Sequence, residues 1–325
     1  MAARTAGSTG LALALLSAAT FGTSGSFAAS LIEAGWTPGS AVTARVLTAA
    51  LFLTVPALLQ LRGGLALLRR SRRPLIAYGI GGVAGAQLCF FMAIEHLSVG
   101  VALLLEYSGA LLVVGYLWLF RGQRPGRLTV GGGVLAVAGL GLVLELIGNS
   151  EVDPIGVLWG LGAAVGLATY FVLSAETEDA LPPLVVAWGG LVIGGTVLAA
   201  AGVIGVLPLD APRVHVTLLD RQVSWVVPVL GLAVVAAAIA YVTGIFGARL
   251  LGAKVASFVG LTEVLFAVVF AWVLVGQSLG VQQLAGAVVV LGGIALVRVD
   301  ELRSADVQPV LTPQEHVVAA QPVTP

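Results

Sequence analysis

Long, nearly uninterrupted apolar runs dominate the chain. A helix that crosses a bilayer needs about 20 apolar residues, and ten runs come close to that length or exceed it. They cover residues 11–32, 41–61, 75–95, 99–120, 128–147, 155–175, 184–207, 225–247, 255–275 and 279–298. These runs are too long and too uniform for the alternating strands of a membrane barrel, and a backbone in lipid satisfies its hydrogen bonds as a helix. The pattern therefore predicts an all-α integral membrane protein with ten transmembrane helices.

The composition supports the same prediction. The chain has 325 residues, of which 58% are hydrophobic and 10% are charged, whereas a soluble domain carries about 25% charged residues. The formal net charge is zero, so electrostatics gives no reason to expect a nucleic-acid partner. The single cysteine, Cys89, excludes an internal disulfide.

The two ends of the chain are predicted to lie in the cytoplasm. The amino terminus resembles a signal peptide, but its apolar run continues to Ile32 and is therefore interpreted as the first span. With that end inside, thirteen of the sixteen Lys and Arg residues fall in inner segments, and only Arg213 and Arg221 fall in outer loops. This bias is typical of cytoplasmic loops. The tail 299–325 has no long apolar run and is predicted to be disordered.

The second half of the chain repeats the first. Residues 101–143 and 255–297 align without gaps, and thirteen of the 43 positions are identical. The matches include Trp118 with Trp272 and a Gly-Gln pair in the same register. Five spans in each half mean that the second copy enters the membrane from the opposite side. The sequence thus predicts a 5+5 inverted repeat, an arrangement that recurs in secondary transporters.

A family resemblance follows from these features. The first span carries FGTSGSF at 21–27, followed by Pro38 and Arg45, and the two halves have the related turns FRGQRP (120–125) and LVGQSL (274–279). Together with the 5+5 pattern, these motifs resemble the EamA-type branch of the drug/metabolite transporter superfamily. The resemblance implies one EamA-like five-helix repeat over residues 10–147 and another over 155–298.

The same resemblance implies a function, but the chain also differs from the family at several positions. It implies export of small organic metabolites, amino acids or drug-like compounds by alternating access. The export can be coupled to protons, or the protein can be a facilitated carrier. The glutamate that the family has in each turn is Gln123 or Gln277 here, and the proline often found in the fourth and ninth spans is missing near Ser108 and Val264. Roles assigned to those family residues do not transfer to this chain.

Two acids within predicted spans are the first candidates for chemistry. Glu106 lies about eight residues into its span, roughly 12 Å at 1.5 Å per residue, and Glu263 lies at a similar depth in the ninth span. Glu263 aligns with Gly109 of the first half, nearly one helical turn from Glu106, so both carboxyl groups are expected to face one cavity. Placing an acidic residue at the membrane midplane costs roughly 2.5–3.5 kcal/mol of insertion free energy. It can exchange a proton or bind a cationic substrate; the alternative is a structural role as a protonated hydrogen-bond donor.

Other candidate site residues are polar or aromatic. Arg45 lies near the outer end of the second span, where it is expected to bind a substrate carboxylate, to pair with Glu33, or to extend to the lipid headgroups. Aromatic faces suit cationic or amphipathic ligands. The further candidates for the cavity wall are Tyr107, Tyr170, Tyr241, Gln87 and Trp159.

Two other functional classes stay open. One is a membrane-embedded enzyme acting on lipid-linked or peptide substrates, since GTSG at 22–25 resembles the serine motif of an intramembrane protease; the only candidate base is His96. The other is a non-transporting scaffold. The favoured prediction is a non-enzymatic, multi-pass transporter of the cell membrane, without cofactor or metal. Its partners are a small-molecule substrate and the bilayer, and it is a monomer or a homodimer.

Overall fold

The structure is a computed structural model of the 325-residue chain. It describes residues 2–61, 65–97, 99–143, 153–176, 181–218, 221–275 and 280–307.

Helices account for most of the described residues. In the first half they are α1 (Ala2–Gly22), α2 (Ser24–Glu33), α3 (Pro38–Gln60), α4 (Leu65–Arg70), α5 (Arg72–Ala77), the π-helical segment π1 (Tyr78–Gly85), α6 (Ala86–Ile94), α7 (Val99–Tyr107), α8 (Gly109–Arg121) and α9 (Arg127–Val143). In the second half the elements are α10 (Pro154–Ala175), α11 (Pro183–Val203), strands β1 (His215–Leu218) and β2 (Arg221–Ser224), α12 (Val226–Leu230), π2 (Gly231–Ile239), α13 (Ala240–Gly260), α14 (Thr262–Val275) and α15 (Val281–Val307).

Local sequence signals explain several helix ends. Thr37 caps α3 by accepting a hydrogen bond from the Ser40 amide at 3.3 Å, and Asp153 caps α10 by accepting from the Ile155 amide at 2.8 Å. A proline follows each cap at the first helical position, where its fixed φ is compatible with the helix. At the other end of a helix, Gly122 terminates α8 in the left-handed conformation with φ 66°.

Eight helices in the described part of the chain are long and apolar enough to cross a membrane. They are Gly7–Glu33, Pro38–Gln60, Arg72–Ile94, Val101–Arg121, Pro154–Ala175, Pro183–Val203, Val226–Gly260 and Val281–Ser304. The predicted fifth span corresponds to the shorter apolar helix Arg127–Val143, because residues 144–152 lie outside the described ranges.

The predicted eighth and ninth spans are separated by a break at Gly252. The apolar helical run Val226–Gly260 is 35 residues long and contains both the eighth span and the start of the ninth. Its backbone is non-helical at Gly252, with φ 78° and ψ 158°, a conformation that glycine adopts without steric cost. The predicted ninth span continues beyond Gly260 into α14. The ten-helix arrangement therefore stays a prediction.

The all-α prediction is wrong for one extramembrane segment. Between the predicted seventh and eighth spans, β1 and β2 pair as an antiparallel hairpin in which Val216 lies opposite Val223. Val216 is buried beside Leu31 and Trp36, whereas its neighbours in the strand are not buried. This alternation of side chains along the strand orients the hairpin, but over four residues it is too short to be recognised in the sequence.

The hairpin region is tied to the start of α3. The Trp36 indole donates to the Pro212 carbonyl at 2.9 Å, and the Thr37 hydroxyl donates to the Pro208 carbonyl at 2.7 Å. The rings of Trp36 and Trp225 are 5.7 Å apart. These contacts cover one end of the helical bundle.

The last helix extends into the predicted tail. Residues 299–307 belong to α15, and residues 308–325 lie outside the described ranges. Asp300 is buried and accepts a hydrogen bond from the Thr129 hydroxyl at 2.6 Å, and Glu301 pairs with Lys254. Contacts to α9 and α13 thus hold the first turns of the segment that was predicted to be disordered.

A crosswise glycine contact joins α9 to α15. A Cβ built on Gly132 would lie 2.6 Å from the Gly293 carbonyl oxygen, and a Cβ on Gly139 would lie 3.0 Å from the Gly286 carbonyl oxygen. Gly132 aligns with Gly286 and Gly139 with Gly293 in the repeat. Gly132 therefore contacts Gly293, the repeat counterpart of Gly139, and Gly139 contacts Gly286, the counterpart of Gly132. This reciprocal pattern is expected for two equivalent helices that cross about a two-fold axis.

We expect Gly293→Leu to destabilise the protein by about 1–3 kcal/mol, because a side chain there collides with the α9 backbone. The measurement is the thermal unfolding midpoint of the purified protein in detergent. Gly292→Leu is the matched control, since nothing lies within 4 Å of its Cβ position. Equal midpoints for the two variants would contradict the close crossing.

Candidate functional site

Three transmembrane helices contain a one-residue break in regular hydrogen bonding, although the backbone stays in the right-handed helical region at each break. The interruptions fall at Thr23, between α1 and α2; at Ser108, between α7 and α8; and at Leu261, between α13 and α14. At each one a hydroxyl group bonds to a carbonyl three residues earlier, an interaction that competes with regular helical bonding. The bonds run from Thr23 to Thr20 at 2.7 Å, from Ser108 to Leu105 at 2.6 Å and from Thr262 to Val259 at 2.7 Å.

The two predicted acids lie at two of these interruptions. Glu106 is the second-last residue of α7, and Glu263 is the second residue of α14. Each side chain is half-buried, and the two carboxyl groups interact electrostatically with each other. That both carboxyl groups face one cavity stays a prediction, since neither acid lines a cavity described below.

Arg45 lies with the acids. Its side chain is 7% exposed, so it does not extend to the headgroups, and its electrostatic neighbours include Glu106 and Glu263 but not Glu33, whose side chain is exposed. The guanidinium donates from Nη1 to Ser24 Oγ at 3.0 Å and from Nη2 to the Ala236 carbonyl at 2.6 Å. Two of the three expectations for Arg45 are therefore wrong: close packing between α2, α3 and π2 holds it inside the bundle.

The predicted tyrosines line the same region. Tyr107 and Tyr241 are both electrostatic neighbours of Arg45 and the two acids. Tyr170 packs edge-on against Tyr241 with ring centroids 5.6 Å apart. The three tyrosines are at most 6% exposed.

An aromatic column extends from the arginine across the bundle. It consists of Phe21, Tyr241, Tyr170 and Tyr78, with successive ring centroids 5.1, 5.6 and 5.8 Å apart. The Arg45 guanidinium carbon lies 5.4 Å from the centre of the Phe21 ring, which is close enough for a cation–π interaction. Sequence reasoning missed Phe21 and Tyr78; their only signal is that each adjoins a glycine-rich stretch.

Other predicted candidates lie outside this group. Gln87 is half-buried on α6, and no hydrogen bond between described residues joins it to the acids or to Arg45. Trp159 is half-buried on α10 and makes no ring contact with the aromatic column in the described part of the chain. The site therefore converges on Arg45, Glu106, Glu263 and the tyrosines.

The serine motif does not form a catalytic pair. Ser24 accepts a hydrogen bond from Arg45, while His96 is 3.1 Å from Asp153 at the start of α10. Gly22 in the same motif packs closely against α14, with the Phe266 Cβ only 2.9 Å from its own Cβ position. Close helix packing thus accounts for Gly22. Within the described ranges, no group of three or more His, Cys, Asp or Glu residues is placed to hold a metal.

Two cavities open at the end of the bundle opposite the hairpin. The larger, of about 480 Å³, is lined by Arg121, Glu176, Gly252, Lys254 and Glu301 among others. Arg121 pairs with Glu176 at 3.0 Å across it. The smaller, of about 230 Å³, is lined by Tyr78 at the end of the aromatic column, together with parts of α5, α10, α11 and α13.

A family model matches nearly the whole chain. The model of the EamA-like transporter family matches residues 8–145 and matches again at residues 154–299. A protein of known crystal structure superimposes with a TM-score of 0.72 at 22% identity, over 91% of this chain and 98% of its own length. That similarity shows a shared fold.

Characterised and uncharacterised relatives are transporters. The uncharacterized inner membrane transporter YicL of Salmonella typhimurium is 24% identical over 241 residues, which are 73% of this chain and 76% of YicL. The threonine/homoserine exporter RhtA of Escherichia coli K12 is 33% identical over 125 residues, which are 38% of this chain and 40% of RhtA. With the apolar helices, these matches establish that the chain belongs to the EamA-like transporter family and is a multi-pass transporter of the cell membrane.

Proposed function

We propose that the protein exports small organic solutes by alternating access, with Arg45, Glu106 and Glu263 forming the central site. The observation that carries the proposal is that Glu106 and Glu263 lie beside breaks in regular helical hydrogen bonding, and that the buried Arg45 of α3 is an electrostatic neighbour of both acids. Interrupted helices near the midplane are where secondary transporters place their substrate and ion sites. The crosswise α9–α15 contact supports two inverted halves that rock against each other.

Charge balance favours a positively charged ligand. With all groups ionised, the site holds two negative charges and one positive charge. Arg45 already donates to Ser24 and to the Ala236 carbonyl, so its present geometry supports a role as a counter-charge more than as a direct ligand for a substrate carboxylate. A proton or an amino group would supply the missing positive charge.

The helix ends suggest different roles for the two acids. Glu263 lies in the first turn of α14, where the helix dipole favours negative charge, and the Tyr107 hydroxyl can donate to it. Glu106 lies in the last turn of α7, where the dipole does not favour negative charge. We therefore assign the proton to Glu106 and the lasting charge pair with Arg45 to Glu263.

The substrate class follows from the charge and the walls of the site. An amine-bearing solute would meet carboxylates, and its apolar part would meet the rings of Tyr107, Tyr241 and Tyr170. The relative RhtA is named a threonine/homoserine exporter, so small amino acids are the first compounds to test. Since that match spans less than half of RhtA, the compounds tested should also include larger aliphatic and aromatic amines.

We expect Glu106→Gln to abolish transport driven by a pH gradient while keeping exchange of labelled for unlabelled solute, because exchange needs no net proton movement. Glu263→Gln should impair both, since it removes the partner of Arg45. The measurement is solute flux in proteoliposomes, with Glu95→Gln, an exposed acid outside the site, as control. Wild-type gradient-driven transport in Glu106→Gln and Glu263→Gln would contradict the assignment.

Ser108 and Thr262 are expected to position the acids through the helix interruptions. Ser108→Ala and Thr262→Val remove hydroxyl–carbonyl bonds that each contribute about 0.5–1.5 kcal/mol, so we expect a slightly lower unfolding midpoint and, in addition, slower transport per folded molecule. Ser108→Thr keeps the hydroxyl and should have a transport rate close to that of the wild type. A purely structural role would lower the midpoint but leave the rate per folded molecule unchanged.

The ten-span topology predicts where inserted reporters will lie. Fusions after Arg124 and after the final residue should report the cytoplasm, and a fusion at Pro212, beside the hairpin, should report the outer side. The measurement is the activity of paired reporters that work on opposite sides of the membrane. A carboxyl terminus on the side opposite Arg124 would contradict the inverted repeat, because an odd number of spans would then separate them.

A further inference from the structure

We propose that the smaller cavity binds the phosphate group of an anionic phospholipid. The cavity has a volume of about 230 Å³ and lies between α5, π1, α10, α11 and α13. That volume is several times the share of a single water molecule, about 30 Å³. The site is separate from Arg45 and the two acids, and the proposal does not depend on the transported solute.

Two buried donors in the cavity wall lack an acceptor. The Arg249 side chain donates from Nη2 to the Leu181 carbonyl at 2.7 Å, but its Nε is buried without a hydrogen-bond partner among the described residues. Tyr78 is 1% exposed, and its hydroxyl lies near Ser174 Oγ in a geometry too loose for a hydrogen bond. Both residues line the cavity, although the two unpaired atoms are themselves covered. Buried donors without acceptors are costly, and turning either side chain towards an anionic oxygen in the cavity would satisfy its donor.

The charge around the cavity favours an anion. Arg70 and Ser71 line it, and Arg69, Arg72 and Arg73, which adjoin them in the sequence, are exposed. The one acid in its wall, Glu176, pairs with Arg121 at 3.0 Å, which offsets its charge. Basic pockets between transmembrane helices are typical binding sites for anionic lipid headgroups.

The apolar surroundings favour a lipid over a free oxyanion. Pro74, Leu75, Leu173, Leu181 and Val186 make up the rest of the wall. Directly beyond the cavity, the same helical segment exposes Ile76 and Ile80, at 46% and 48%. An acyl chain can follow this apolar surface while the phosphate occupies the cavity, an arrangement that a free phosphate would not need.

The test compares three additives on the full-length protein in detergent: phosphatidylglycerol, phosphatidylcholine with the same acyl chains, and inorganic phosphate. We expect phosphatidylglycerol alone to raise the thermal unfolding midpoint and to remain bound in native mass spectrometry. Tyr78→Phe should weaken its binding by about threefold to tenfold, because it removes one hydrogen bond without changing charge. Arg249→Met should abolish the selectivity for phosphatidylglycerol.

The double variant Arg124→Gln/Arg127→Gln is the matched control, since it removes two exposed positive charges at the same end of the bundle but outside the cavity. It should bind phosphatidylglycerol as the wild type does. The proposal fails if Tyr78→Phe and Arg249→Met bind like the wild type, or if the control loses as much affinity as Arg249→Met. An equal stabilisation by inorganic phosphate would show a free-oxyanion site and overturn the lipid assignment.

Discussion

The burial of ionisable side chains among apolar helices is the constraint on which the centre of this molecule depends. A carboxylate in hydrocarbon is costly, and a buried charge is tolerated where a partner compensates it. Ser24, the Ala236 carbonyl and the Phe21 ring hold Arg45 inside the bundle, and under the proposed function Arg45 is the counter-charge of the two acids. Its neighbours come from both halves of the chain, so the halves must be correctly packed for the charges to balance.

The helix interruptions depend on hydroxyl groups, and this affects how the centre can move. Proline removes an amide donor permanently, whereas the Ser108 amide still bonds to the carbonyls of Leu104 and Leu105, each at 3.1 Å. Because the donors are retained, such an interruption can change between a bent and a straighter form by exchanging hydrogen bonds. A conformational cycle requires an element of this kind with two accessible arrangements.

Much of the fold was predictable from the sequence, because long apolar runs and the internal repeat are properties of composition and spacing. The acids and three tyrosines were also predictable, since ionisable and aromatic side chains stand out among aliphatic residues. The partners of Arg45 were not: the Ala236 acceptor is a backbone carbonyl, which every residue has. The hairpin was missed for a related reason, since two four-residue strands with one buried valine are too short to give a periodic signal.

Symmetry governs the scaffold, whereas the chemistry is asymmetric. The α9–α15 glycines have counterparts in the other half, and π1 and π2 occupy nearly equivalent positions, yet Glu106 aligns with Gly260 and Glu263 with Gly109. Packing explains the difference: a Cβ at Gly109 would lie 2.6 Å from the Ala164 carbonyl oxygen, and one at Gly260 would lie 2.7 Å from the Phe171 ring. Since α10 fills both positions, neither acid can be duplicated. In the proposed alternating-access cycle, the two states related by exchange of the halves would therefore differ in free energy, because neither acid has a counterpart in the other half.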